Sequence, residues 1–180
     1  MAKSNIGKIF EQSIKSSFPD YVYVTRLPDP PQSFAQRSDT RFSHKNPFDY
    51  LVFDTVARKL YCLELKTTKY KSISFEDISE DNPTNKMIHK HQILGLNKAA
   101  ENKNVVAGFI LNFRDEKNNT ERTYFIEIND FNKMCKRINK SSCNEMDIIL
   151  NGAIKIKGTK KRTRFSWDMD EFFSNYDKER

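Results

Sequence analysis

Asn46-Pro47-Phe48-Asp49-Tyr50-Leu51-Val52-Phe53, a polar stretch, and then Leu60-Tyr61-Cys62-Leu63-Glu64-Leu65-Lys66-Thr67 are the residues that decide the fold. Both apolar runs are rich in branched and aromatic side chains, and residues 54–59 between them are polar. That pattern predicts an antiparallel hairpin with strands over 48–53 and 60–67. Pairing Phe53 with Leu60 across the turn sets Asp49 directly opposite Glu64, with Cβ atoms roughly 5 Å apart. A slip of two residues keeps both carboxylates on one face, whereas a slip of one separates them.

Glu64 and Lys66 are two apart on a strand and share a face, while Leu63 and Leu65 point to the other. On their own, Glu64 and Lys66 read first as an ordinary strand ion pair, which is common and weak. Asp49 opposite them changes the reading. Two facing carboxylates at roughly 5 Å and an effective dielectric of about 20 repel by about 3 kcal/mol. A divalent cation turns that repulsion into attraction, and an all-oxygen donor set suits a hard ion, Mg²⁺, with Mn²⁺ substituting. Asp49 and Glu64 are therefore the expected metal ligands. Such an ion activates water and neutralises a scissile phosphate. Lys66 stands where it can orient that water or stabilise charge on phosphorus.

Outward from the hairpin, Ile6, Ile9, Phe10 and Ile14 recur at helical spacing and predict a helix over residues 4–18, capped by Ser4 or Asn5 and stopped by Pro19. Residues 21–26 read as a strand. Residues 27–45 break the pattern with Pro28, Pro30 and Pro31, then Arg37, Arg41, His44 and Lys45. A loop of that length is functional or a flexible insertion; its basic and aromatic content suits a DNA-contacting projection. Residues 85–103 read as a helix whose stripe His89, Gln92, Ile93, Leu96 and Ala100 faces inward. Gln92 is a polar residue on that stripe and needs a polar partner if buried. The active centre would supply one, and a boundary glutamine is the alternative. Glu11, one turn after Gly7, either adds an acid to the site or is an exposed helix residue. Strands are expected over 105–113, 123–128, 153–156 and 164–167, with helices over 131–138 and 170–176. The order argues for one α/β domain around a mixed sheet.

The chain has 180 residues, 31 Lys and Arg against 24 Asp and Glu, and a net charge of +7. Its sequence pI is about 9.2. A basic balance favours a polyanionic partner, nucleic acid first among them. Lys155, Lys157, Lys160, Lys161, Arg162 and Arg164 form a basic run around Gly158, either phosphate-binding or a solvated hairpin tip. Three cysteines, Cys62, Cys135 and Cys143, give an odd count without a CxxC. That excludes a disulfide framework and a zinc knuckle and fits a reducing cytoplasm, in a bacterial cell or a phage-infected host. No apolar run approaches the ~20 residues that cross a bilayer, so no membrane association is expected.

Asn46-Pro47-Phe48-Asp49-Tyr50 with Glu64-Leu65-Lys66 resembles the PD-(D/E)XK nuclease signature. The stretches that follow, Glu64-Leu-Lys-Thr-Thr68, Ser74-Phe75, His89-Lys-His-Gln92-Ile93 and Gly108-Phe-Ile-Leu-Asn-Phe113, run in the order seen in RecU-type Holliday-junction resolvases. The resemblance covers roughly residues 7–113. It implies a restriction-endonuclease-like core, with a central mixed sheet flanked by helices and a protruding stalk in the position of residues 27–45. It also implies a Mg²⁺-dependent homodimer that cuts four-way DNA junctions symmetrically. By motif position Asp49 and Glu64 would bind metal, Lys66 would be the catalytic lysine, Gln92 a supporting residue and Glu11 the first-helix acid, with Thr67 a further candidate. Arg37, Arg41 and Lys45 on the loop and Lys160, Lys161 and Arg162 near the C-terminus are the expected DNA contacts. Two other functions remain: a restriction- or repair-type endonuclease on duplex DNA, and a non-catalytic DNA-binding module on a nuclease-like fold.

Overall fold

A computed structural model describes residues 5–28, 46–79 and 85–178. Residues 29–45, with Arg37, Arg41, His44 and Lys45, lie outside the described residues, so the expected stalk and its DNA contacts are not part of the structure below.

Helix α1 (Ile6–Lys15) starts where Asn5 accepts a hydrogen bond from the Lys8 amide at 3.3 Å. It ends sooner than expected. The hydroxyls of Ser16 and Ser17 both turn back onto the Ser13 carbonyl, at 3.1 and 2.7 Å, well before Pro19 is reached. Strands β1 (Val22–Arg26), β2 (Tyr50–Asp54) and β3 (Lys59–Thr68) form an antiparallel meander. The β2–β3 turn is built by Asp54, whose Oδ1 accepts from the amides of Val56 at 2.9 Å and Ala57 at 3.0 Å, and by Arg58 in the left-handed region at φ 55°. Phe53 pairs with Leu60, the expected register.

After β3 the chain makes strand β4 (Ser72–Ser74), then crosses through α2 (Lys90–Ala100) to β5 (Val105–Asp115), which runs parallel to β3. Strand β6 (Thr120–Glu127) returns antiparallel, followed by α3 (Ile128–Ile138), β7 (Ser142–Asn144) and α4 (Glu145–Ile149). Strand β8 (Ile154–Ile156) completes the main sheet, in the order β1-β2-β3-β5-β6-β8. β9 (Gly158–Lys160) and β10 (Phe165–Trp167) form a separate hairpin, and α5 (Met169–Asn175) closes the described chain. The central mixed sheet flanked by helices that the resemblance implied is the architecture found.

Two apolar layers sandwich the sheet. One packs Cys62, Phe109 and Leu111 against Ile93 and Leu96 of α2 and Phe131 and Met134 of α3. The other packs Tyr50, Val52, Tyr61, Leu63 and Phe125 against Phe10 and Ile14 of α1 and Phe172 and Phe173 of α5. Side chains alternate along β3, so Glu64 and Lys66 belong to the face covered by α2. The expected helix over 85–103 begins instead at Lys90, where the Lys90 amide donates to Glu76 Oε2 at 2.7 Å. Strands β4 and β7, three residues each, and helix α4 were not foreseen. They are too short to carry a period, and β4 is held by pairing with β7 across the chain.

Candidate active site

Asp49 precedes β2 by one residue and has left the regular ladder. Extending the β2–β3 register would set it against Glu64, but its amide donates to the Leu63 carbonyl at 3.0 Å, while its carbonyl continues the β1–β2 pairing by accepting from Leu27 at 2.8 Å. Its carboxylate reaches over β3, with Oδ2 accepting from the Leu65 amide at 2.8 Å. The flat face-to-face pair expected from the hairpin is thus replaced by a carboxylate clamped onto the backbone of the strand that carries Glu64. The clamp has a steric origin. Helix α2 lies on residue 47 so closely that a Cβ on Gly95 would sit 2.3 Å from Pro47 Cβ. Phe48 is anchored in the α2-side core. Pro47 and Phe48 together aim Asp49.

Glu64 is 2 % exposed. Its Oε1 takes two donors, Lys66 Nζ at 2.8 Å and the Gln92 side-chain amide. The orientation of Gln92 is fixed from behind, because its Oε1 accepts from the His89 amide at 2.9 Å as part of the capping box that starts α2. With its oxygen committed there, Gln92 has only its NH₂ to offer Glu64. The partner that a buried glutamine required is Glu64 itself.

Burial pushes the Glu64 carboxyl up to about 7, against the pull of the Lys66 ammonium and with a further push from the Asp49 charge. Asp49 is also held above its usual value by burial, opposed by the Leu65 amide and reinforced by Glu11. Glu11 is tied to Arg26, whose Nε lies 3.2 Å from Glu11 Oε2. Arg26 on β1 pairs with Tyr50 on β2, so Glu11 approaches from the α1 side of the sheet and joins the site through its charge.

With this geometry in view, the chain can be set beside known proteins. No family model matches it. It is 29% identical over 183 residues to the SPbeta prophage-derived uncharacterized protein YotM of Bacillus subtilis strain 168, a match covering 95% of this chain and 86% of that protein. Among solved structures it is similar to Hjc, a Holliday junction resolvase from the archaeal hyperthermophile Archaeoglobus fulgidus. The TM-score is 0.48, the identity 12%, and the match covers 82% of this chain and 93% of that one.

Thr67 points to the opposite face from Lys66 and enters a network that sequence reasoning missed. Its hydroxyl donates to Asn112 Oδ1 at 2.6 Å and accepts from Arg114 Nε at 3.1 Å. Asn112, fully buried, donates to Thr123 Oγ1 at 2.9 Å and Glu121 Oε2 at 3.1 Å. The available signal was a lone asparagine inside the apolar run of β5, which demands partners when buried. Lys160, Lys161 and Arg162 lie on or beside the β9–β10 hairpin, which packs on α1, so the fold does not bring them to Glu64. His89 and His91 stack with ring centroids 5.7 Å apart, and His89 Nδ1 lies 3.1 Å from Glu76.

Among the described residues no group of three or more His, Cys, Asp and Glu is gathered to hold a metal alone. Two carboxylates without histidine or thiolate do suit Mg²⁺, which is bound through one or two carboxylates and completes its shell with water and phosphate oxygens. The donor chemistry of Asp49 and Glu64 fits that ion.

Proposed function

We propose that the chain is a Mg²⁺-dependent DNA endonuclease that resolves four-way junctions by phosphodiester hydrolysis, with Mn²⁺ able to substitute, acting as a homodimer so that two strands are cut symmetrically. The observation that carries the nuclease reading is the nearly inaccessible Glu64 carboxylate, held by Lys66 at 2.8 Å and by Gln92 beside Asp49. Burying an acid at that energetic cost serves no packing purpose. The junction preference is carried by the RecU-type sequence resemblance and by the basic loop in the stalk position.

Charge arithmetic supports a phosphodiester substrate. Three acids (Glu11, Asp49, Glu64) and two bases (Arg26, Lys66) give −1 when all are ionised. A divalent ion brings the site to +1, which a phosphodiester monoanion cancels. The bound ion supplies charge neutralisation and a more acidic water. Lys66 donates to an oxygen of the phosphate or to the attacking water. Gln92 holds Glu64 in one rotamer, so no reorganisation is needed when charge develops. Asp49 is fixed by the Leu65 amide for the same reason.

The test is cleavage of a synthetic four-way junction and of linear duplex of matching sequence, each with Mg²⁺ and with chelator. The reading expects Mg²⁺-dependent paired nicks in the junction and little cutting of the duplex. Equal cutting of both would leave a nuclease and remove the resolvase. Gln92→Leu is expected to lower cleavage about 10- to 100-fold, the usual cost of removing a residue that orients a metal ligand. Unchanged rates in single-turnover assays would remove Gln92 from the site.

A further inference from the structure

On the far side of the sheet from Glu64 lies a cleft of about 210 Å³, whose lining includes Arg114, Lys160, Arg162 and Arg164, with Phe10 and Phe165 among its apolar residues. We propose that this cleft and the β9–β10 hairpin form a second DNA-binding groove, holding the phosphodiester backbone of a duplex arm away from the scissile phosphate. The inference rests on the DNA reading above and adds to it a separate surface.

The hairpin is built rather than loose. Trp167 donates its ring N–H to Ser13 Oγ at 3.1 Å and its backbone amide to Ser17 Oγ at 3.0 Å, which bolts the hairpin to α1. Gly158 allows the close approach, since a Cβ there would lie 2.4 Å from the Trp167 ring. The tip is closed by the Lys161 amide donating to the Arg164 carbonyl at 2.7 Å. A fixed frame therefore presents four cations within five residues.

Among the described residues, Lys160, Lys161, Arg162 and Arg164 make no ion pair. The acid on the cleft wall, Glu121, is turned inward onto Asn112 at 3.1 Å. Arg114, its cross-strand neighbour on β5, is committed to Thr67 and Glu116. Clustered, unpaired, immobilised positive charge repels itself unless a polyanion covers it, and a nucleic-acid backbone is the ligand whose charges repeat along a line. The cleft and the site are linked through β3. Thr67, held by Arg114, directly follows Lys66 on β3, so the groove and Glu64 lie on opposite faces of the same end of that strand. A duplex crossing that end can touch both.

The experiment measures binding of labelled duplex and four-way junction by fluorescence anisotropy in chelator, over a salt series, for wild type and K160Q/R162Q/R164Q. Each lost phosphate contact should lower the slope of log affinity against log salt by about 0.9, so the triple variant should lose about 2–3 units on both DNAs. An unchanged slope overturns the groove and leaves the nuclease reading standing. The expected slope loss in the triple variant, with wild-type protein that never cleaves, sinks the nuclease reading and keeps the groove. If circular dichroism shows the triple variant unfolded, Arg162→Gln alone decides, with a loss of about 0.9 expected and no loss overturning the proposal.

Discussion

Glu64→Gln should reduce cleavage by at least about a thousandfold, since removing a metal ligand removes the transition-state stabilisation that the ion supplies. The same substitution should stabilise the metal-free protein at alkaline pH. The Glu64 carboxyl lies at about 7 in the folded chain against a usual 4.5. Between those values the folded protein keeps a proton that the unfolded chain has released. Stability therefore falls as pH rises through that window, and the full penalty of about 3 kcal/mol is present above pH 7. Urea unfolding of wild type in chelator should show this decline between pH 4.5 and 7, and Glu64→Gln should flatten it. Added Mg²⁺ should recover stability in wild type at pH 8 and not in the variant. A dead but destabilised variant would mean that Glu64 holds the fold together and that its loss of activity is indirect.

Gly95→Ala should damage the site through a single added methyl. The added carbon would meet Pro47 Cβ at 2.3 Å and Pro47 Cα at 2.9 Å. Neither atom can rotate away, so α2 and the 46–49 segment must part. Overpacking of this kind costs about 1–3 kcal/mol. The greater effect falls on chemistry. A shift of Pro47 moves Asp49 off the Leu65 amide and moves Gln92, on the same helix, off Glu64. Misplacement by about 1 Å is worth on the order of a hundredfold in rate. Thermal unfolding combined with junction cleavage would show it: a small drop in Tm with a large drop in kcat. Full activity in Gly95→Ala would mean that the 46–49 segment is not positioned by α2.

The hairpin and its register were legible because alternation fixes which residues face the core, and a one-residue slip would have buried the wrong set. The contact of Gln92 with Glu64 was legible for a related reason, as a polar residue on an apolar stripe has to find a partner. The departure of Asp49 from the ladder was not legible. It depends on Pro47 lying under Gly95, a contact between segments that are far apart in sequence. The true start of α2 depends likewise on Glu76 reaching the Lys90 amide. The Thr67–Asn112–Arg114 network was overlooked because residues 105–113 were read only as a strand, without a partner sought for Asn112 inside it.

Titrating Mn²⁺ into the protein by calorimetry at pH 8, with wild type, Asp49→Asn and Glu64→Gln, measures the claim beneath all of this. Wild type is predicted to bind with one affinity that both substitutions abolish. At pH 6 the same titration should be weaker and should release a proton to buffer, because Glu64 must first give it up. Undiminished binding in either variant would contradict the account.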